Sequence, residues 1–569
     1  MIQKMWTFPL ILLLVVSIVL AGCQPAAPEG PEPTNPPAEP TSPPSPAPTT
    51  ALEAGIVSST PTTPPDSGSP KQGGKLTMAL ASVSHLDCNS IDQDNEVYPL
   101  VYETLFELNE KWQPVGLLVK EVEISDDGLV HTWKLQEGVT FHDGTEFNAD
   151  VVKWNLERKI ELQQPLYTVL NWDSLEVVDP LTLRVTFSHP NFALYAYLSS
   201  TTFSMYSPTF VENSTPDDLK NQVVGTGPFI ITEYLPNENI KLVRNENYWR
   251  EGQPYLDEIE VKIVKDANTR LMMLQSGEVQ WLKDISFVDI ARLEADTSSD
   301  IGISIAPSTR FYYITLHNQR PPLDNPLVRQ AFNYAIDKEG MNASIFNGLL
   351  TISTDVVTSY VNGYSQKDYY PYDPEKAKQL LDEAGLIDTN GDGFREFEGQ
   401  EKEFIINTRK GQRPGDIEIV EQVQAMLRQV GINVKVEVMD SATFFTYLNQ
   451  TMDKAPYYDM SNQSPANNTG DAQYQLDTMY SCDAWPGTYY NYSHYCNEEV
   501  EALLQAAREA PTLEERNELY AQATAIIWED APGIYLFDGI NSLGSVKNLK
   551  GVYSDGAHQI WNVKYAWFE

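Results

Sequence analysis

The chain has 569 residues, with 30 Tyr, 20 Phe, 11 Trp and 42% hydrophobic residues, which is enough to fill a large core and excludes wholesale disorder. Against 39 basic residues stand 79 acidic ones, a formal net charge of −40 that repels a phosphate backbone and excludes nucleic acid as a partner. At about 150 residues per domain, length alone suggests three to four domains before the amino-terminal stretch is discounted.

Lys4 supplies a positive charge ahead of the apolar run Phe8 to Leu20, and Leu20-Ala21-Gly22-Cys23 then places small residues before a cysteine. This reads as an export signal. It resembles the lipobox of bacterial lipoproteins, which implies cleavage after Gly22, acylation of Cys23 and an extracytoplasmic protein anchored to a membrane by lipid. A single-pass anchor is the poorer reading, because 13 apolar residues fall short of the roughly 20 that span a bilayer. From Gln24 to Gln72 the chain carries 15 prolines, seven threonines and no aromatic residue, so nothing there offsets the entropy of ordering it. A Pro/Thr-rich disordered tether is expected over 23–72, reaching on the order of 100 Å from the membrane at ~3.1 Å per residue.

In the body, Thr182 to Phe187 and Glu258 to Ile263 alternate polar and apolar residues and predict half-buried strands. Asp373-Pro374 predicts a capped helix start with Leu380, Leu381 and Ala384 on its apolar face and Gly385 at its end. A second helix is expected from about Asp416, with Ile419, Val423, Leu427 and Val430 inward, a stop at Gly431, and a strand through Ile432–Val438. Thr512 and Glu515 predict a capping box ahead of a helix carrying Leu519, Ala523, Ile526 and Ile527 and ending before Pro532. These helix-to-strand units indicate an α/β protein.

Catalytic chemistry finds no support. The seven histidines are scattered, and no Gly-x-Ser-x-Gly, His-Glu-x-x-His or Cys-x-x-Cys occurs. A secreted hydrolase is therefore the weaker, different-class alternative, and no catalytic residue is assigned. Asp388, Asn390 and Asp392, followed by Gly393, form the front of a calcium loop, yet position 12 is Gly399 where a bidentate glutamate belongs. The loop reads either as a structural turn or as a structural calcium site; no cofactor is required. Cys482 and Cys496 lie 14 residues apart in a chain sent to an oxidising compartment, so a disulfide is expected between them, leaving Cys88 as a small buried residue.

Several stretches, taken in order, carry a family resemblance. Val101-Tyr102-Glu103-Thr104-Leu105-Phe106, Val139-Thr140-Phe141-His142-Asp143-Gly144-Thr145 and Val224-Gly225-Thr226-Gly227-Pro228-Phe229 come first. Arg244-Asn245-Glu246-Asn247-Tyr248-Trp249, Ala335-Ile336-Asp337, Thr469-Gly470-Asp471-Ala472 and Trp528-Glu529-Asp530-Ala531-Pro532 follow. Together they resemble the extracytoplasmic solute-binding proteins of peptide and nickel ABC importers, family 5, across 73–569. The resemblance implies a two-lobed, type II periplasmic-binding-protein-like fold with an extra α/β domain inserted in the first lobe. The first lobe would comprise about 73–105, 223–308 and 538–569, the inserted domain 106–222 and the second lobe 309–537. It also implies lobe closure on a ligand, and as partners an ABC permease and ATPase complex.

Carried over residue by residue, Arg413 before Pro414 matches the arginine that receives a peptide carboxylate in dipeptide-binding members, although other members place it one position earlier, at Gln412. Asn468 matches the aspartate set against the peptide's amino group, and its lack of charge departs from that pattern; Asp471 is the substitute carboxylate. Trp485 and Tyr489 either stack on a ligand or belong to the core. The ligand expected is an oligopeptide or dipeptide, with an oligosaccharide as the alternative; nickel is disfavoured because only His494 lies nearby.

Overall fold

The computed structural model describes residues 69–569 apart from 84, 90–95, 110–111, 163–169, 297, 411–412, 414, 450–457, 487–488 and 558–559. The expected export signal, the acylated Cys23 and the tether through residue 68 lie outside the described residues, as do Gln412 and Pro414.

Glu258–Ile263 forms the expected strand, with Ile259, Val261 and Ile263 buried, and pairs in parallel with Lys75–Leu80. These belong to the largest sheet among the described residues, which has eleven strands. Its spine is a pair of long antiparallel strands, Ile301–Leu316 and Gly533–Val546. Their register shifts between Pro307 and Phe311, and on either side of that irregularity the neighbours change. Toward one end Gly533–Val546 pairs with Trp281–Lys283, which leads through Lys75–Leu80 and Glu258–Ile263 to Asn239–Arg244 and Phe229–Leu235. Toward the other, Ile301–Leu316 pairs with Met460–Gln463, which leads to Glu403–Arg409 and Asn433–Met439.

Each half of the sheet buries its own apolar set. Leu76, Met78, Val261 and Trp281 centre one cluster; Ile314, Phe332, Leu381, Ile406, Val423 and Val434 centre the other. A separate antiparallel sheet, ordered Val119–Ile124, Val130–Leu135, Thr182–Phe187 and Trp172–Asp179, packs against helix Ala149–Glu161 around Trp133, Leu183 and Tyr195. Non-polar burial of this kind contributes about 25 cal/mol per Å2 removed from water, so three filled clusters explain why each unit holds its shape.

The helices follow the sequence closely where their caps are local. Asp373 accepts from the Lys376 N–H and starts helix Pro374–Glu383, and Gly385 at φ 81° ends it. Helix Asp416–Gln429 buries Ile419, Val423 and Leu427, and Gly431 at φ 86° turns the chain into strand Asn433–Met439. Thr512 caps helix Leu513–Asp530. Its buried face is rotated from the expected one: Tyr520, Ala523, Ile527 and Trp528 are buried, whereas Leu519 and Ile526 are only partly buried. No helix among the described residues is long and apolar enough to cross a membrane.

Candidate ligand site

In the second half-sheet, strand Glu403–Arg409 ends in a loop that carries Arg413 and leads into helix Asp416–Gln429. The entry requires a left-handed turn at Gly415, φ 90°, where a Cβ would come within 2.8 Å of the Phe346 ring. Asp416 accepts the Arg413 backbone N–H at 3.1 Å and the Asn462 amide at 3.2 Å. Burial raises the Asp416 carboxyl above its ordinary range, against the pull of the nearby Arg409 and Arg413. Arg409 is itself buried and lies across the rings of Phe444 and Phe445, 5.0 and 4.9 Å from their centroids. Burial raises the Tyr312 hydroxyl above its ordinary range, against the pull of the nearby Arg310 and Arg413, and the Arg310 guanidinium donates to the Ser464 carbonyl. Three guanidiniums thus gather where the long strands enter the second half-sheet, in a protein whose net charge is −40. Such planar donors suit a carboxylate, held by charge-assisted and bidentate hydrogen bonds.

The following loop is built by a residue the sequence did not single out. Asn467 is fully buried; its side-chain oxygen accepts from the Thr469 and Gly470 N–H groups, each at 3.1 Å, and its amide donates to the Asp471 carbonyl at 2.8 Å. Asn468 is held half-buried beside it. Asp471, the expected substitute carboxylate, is committed elsewhere. It is 2% exposed, caps helix Ala472–Met479 through the Gln473 N–H, accepts from Tyr520 at 2.9 Å and pairs with Arg516 at 3.2 Å. These partners inside the core hold the carboxylate and brace its loop against helix Leu513–Asp530.

Cys482 and Cys496 are joined, and Cys88 is buried with its thiol donating to the Tyr206 hydroxyl. Within the disulfide loop Trp485 faces inward, its ring 5.4 Å from that of His494. Tyr489 lines a cavity of about 450 Å3 between Asn171, Pro190 and Tyr197 of the four-stranded unit and Asp477 and Arg508 of the second half. Arg413, Asn468, Asp471 and Trp485 do not line that cavity. At the acidic loop, Asp388 accepts the Gly391 and Gly393 N–H groups, Asn390 accepts from Asp392, and Asp392 accepts from Phe394. Among the described residues, no group of three His, Cys, Asp or Glu side chains is placed to hold a metal ion.

Comparison with known proteins places this geometry. The model of bacterial extracellular solute-binding proteins, family 5 Middle, matches residues 113–487. The glutathione-binding protein GsiB of Salmonella typhi is 32% identical over 457 residues, 79% of this chain and 86% of that protein. The chain belongs to family 5 of the bacterial extracellular solute-binding proteins. Among solved structures, the ABC transporter-associated periplasmic binding protein DppA of Helicobacter pylori, in complex with the peptide STSA, aligns with a TM-score of 0.74 at 25% identity. That alignment covers 88% of this chain and 99% of the DppA chain. The oligopeptide-binding protein AppA of Bacillus subtilis, holding a nonapeptide, shares the fold with a TM-score of 0.75 at 24% identity over 88% of this chain and 100% of its own. The mixed α/β fold is accordingly that of the two-lobed periplasmic binding proteins of this family. By this kinship the protein is a family 5 substrate-binding protein of ABC importers, and the relatives it matches are solute-binding proteins, not enzymes.

Proposed function

We propose that this solute-binding protein captures short peptides by closure of its lobes and delivers them to an ABC permease, while an acylated Cys23 anchors it to the membrane outside the cytoplasm. The observation that carries the peptide reading is the grouping of Arg310, Arg409 and Arg413 around Asp416 and Tyr312. The Arg413 guanidinium receives the ligand's carboxylate, and Arg409, lying over the rings of Phe444 and Phe445, steadies the loop below it. The kinship to a glutathione-binding protein and to a peptide-bound DppA supports the same ligand class.

The domain limits we adopt are 73–105, 223–308 and 538–569 for the first lobe, 106–222 for the inserted domain and 309–537 for the second lobe. They are supported by the separate apolar clusters and by the irregularity between Pro307 and Phe311. Binding energy then shifts an open–closed equilibrium, and the closed form is what the permease accepts.

Native mass spectrometry of the protein purified from its host, followed by calorimetry with glutathione, di- to pentapeptides and oligosaccharides, tests the reading. A bound peptide whose affinity falls 10- to 100-fold in Arg413→Ala supports it, which is about 1.4–2.8 kcal/mol. Binding of oligosaccharides alone, unchanged in that variant, overturns the peptide assignment. The uncharged Asn468, half-buried where a carboxylate would meet an amine, is the feature that favours this second reading.

A further inference from the structure

Trp112 stands in the turn between strands Phe106–Leu108 and Pro114–Gly116 with a φ of 57°. A left-handed backbone is unfavourable for a residue with a bulky side chain, and such strain persists only where the surroundings enforce it. Here Asn109 pins the turn, its carbonyl accepting the Trp112 N–H at 2.8 Å and its side chain accepting the Gln113 N–H at 3.0 Å.

The strained backbone aims the indole into a slot whose walls come from different parts of the chain. It is 8% exposed, buried with Leu108 and Ala557, and meets Tyr360 edge to face at 5.9 Å. Two glycines make room for it. A Cβ at Gly470 would lie 3.3 Å from the Trp112 Cβ, and one at Gly556 only 2.2 Å from its Cζ2. Gly470 and Tyr360 belong to the second lobe as proposed above, and Gly556 and Ala557 to the first. Beside the slot, Thr309, at the irregularity in the long strands, ties the same segments together. Its hydroxyl donates to the Asn467 carbonyl at 2.8 Å, its N–H donates to the Gly556 carbonyl at 3.2 Å, and the Asn362 N–H donates to the Gly470 carbonyl at 2.9 Å.

We infer that Trp112 is a positioning residue for ligand capture: a wedge seated between Gly470 and Gly556 that fixes the register of the two lobes when they are together. It thereby holds the loop bearing Asn468 at the cleft without itself forming the ligand surface. This inference rests on the reading that the lobes open and close.

Hydrogen exchange on the full-length chain, as isolated, compares wild type with Trp112→Ala and Trp112→Phe. The expected result is that the amides of Thr309, Asn362 and Asn467 exchange at least tenfold faster in Trp112→Ala, within threefold of wild type in Trp112→Phe, and that Val130–Leu135 is unchanged in both. Acceleration confined to 106–116, with Thr309, Asn362 and Asn467 as protected as in wild type, overturns the wedge and leaves Trp112 a local packing residue. Failure of every peptide to bind would refute the ligand assignment while leaving this exchange result standing.

Discussion

His317 and His494 stack face to face, their ring centroids 4.2 Å apart and their planes 15° from parallel. Both are buried, at 4% and 1% exposure, and among the described residues His317 Nδ1 and both ring nitrogens of His494 find no hydrogen-bond partner. Burial lowers His317 to about 3, helped by the neighbouring His494, Arg320 and Lys402, and lowers His494 to about 4. The unfolded chain takes up these protons near the ordinary 6.5, before the folded one does. Stability is therefore full above pH 6.5 and declines below it, by at most about 1.4 kcal/mol per pH unit for each ring. His317→Phe is expected to flatten the dependence of the urea midpoint on pH between 7.5 and 5. An unchanged slope would locate the proton uptake elsewhere. The buried carboxyls of Asp416 and Asp538, raised by burial, act in the opposite direction, so the difference between variant and wild type is the quantity to read.

Asp471→Ala is expected to destabilise the protein by about 3–5 kcal/mol, because it strands the Arg516 guanidinium, 4% exposed, without its carboxylate. Thermal unfolding measures this directly. A variant that melts with the wild type yet fails to bind peptide would return Asp471 to the ligand.

Asn468→Asp places a carboxylate where the present side chain offers only an amide. Peptides with a free amino terminus are expected to gain about tenfold in affinity over wild type, with N-acetylated peptides unaffected, as read by calorimetry. Equal effects on both peptide forms would show that Asn468 does not face the ligand's amine.

The side-chain oxygens of Asp388, Asn390 and Asp392 already accept N–H groups of their own turn, and Gly399 supplies no carboxylate at the closing position. Removing divalent ions with a chelator is expected to leave the melting temperature unchanged. A rise of several degrees with millimolar calcium would instead make this a bound-ion site.

Features set by neighbours in the chain were legible before the structure. Asp373 caps its helix through Lys376, three residues on, and Gly431 ends another through its own left-handed turn. The family motifs pointed to the solute-binding family, and the match to family 5 agrees with them. What depended on distant partners was not legible. Asp471 is structural because Arg516 and Tyr520 close over it, and nothing local to Thr469-Gly470-Asp471 announces those partners. The same holds for the turn of helix Leu513–Asp530, whose Tyr520 and Trp528 are covered by other segments while Leu519 is only partly so. Trp112 gave no signal at all, since its slot exists only where Gly470 meets Gly556. Arg409 could have been found: it closes the strand Glu403–Arg409 just ahead of Arg413.

The two long strands that run between the lobes are bonded to each other along most of their length, from Ile301 opposite Val546 to Thr315 opposite Gly533. A bonded ribbon resists stretching along its length and sliding of one strand past the other, since either breaks ladder hydrogen bonds, and it yields most readily to twisting and to bending out of its plane. The ladder is interrupted between Pro307 and Phe311 and again between Tyr312 and Tyr313, and these adjoining irregularities concentrate that compliance. The lobe closure proposed above would thus be confined to very few coordinates. A small ligand need restrain only that narrow set to halt the whole protein, and a receptor touching both lobes at once can read the result as a change in angle.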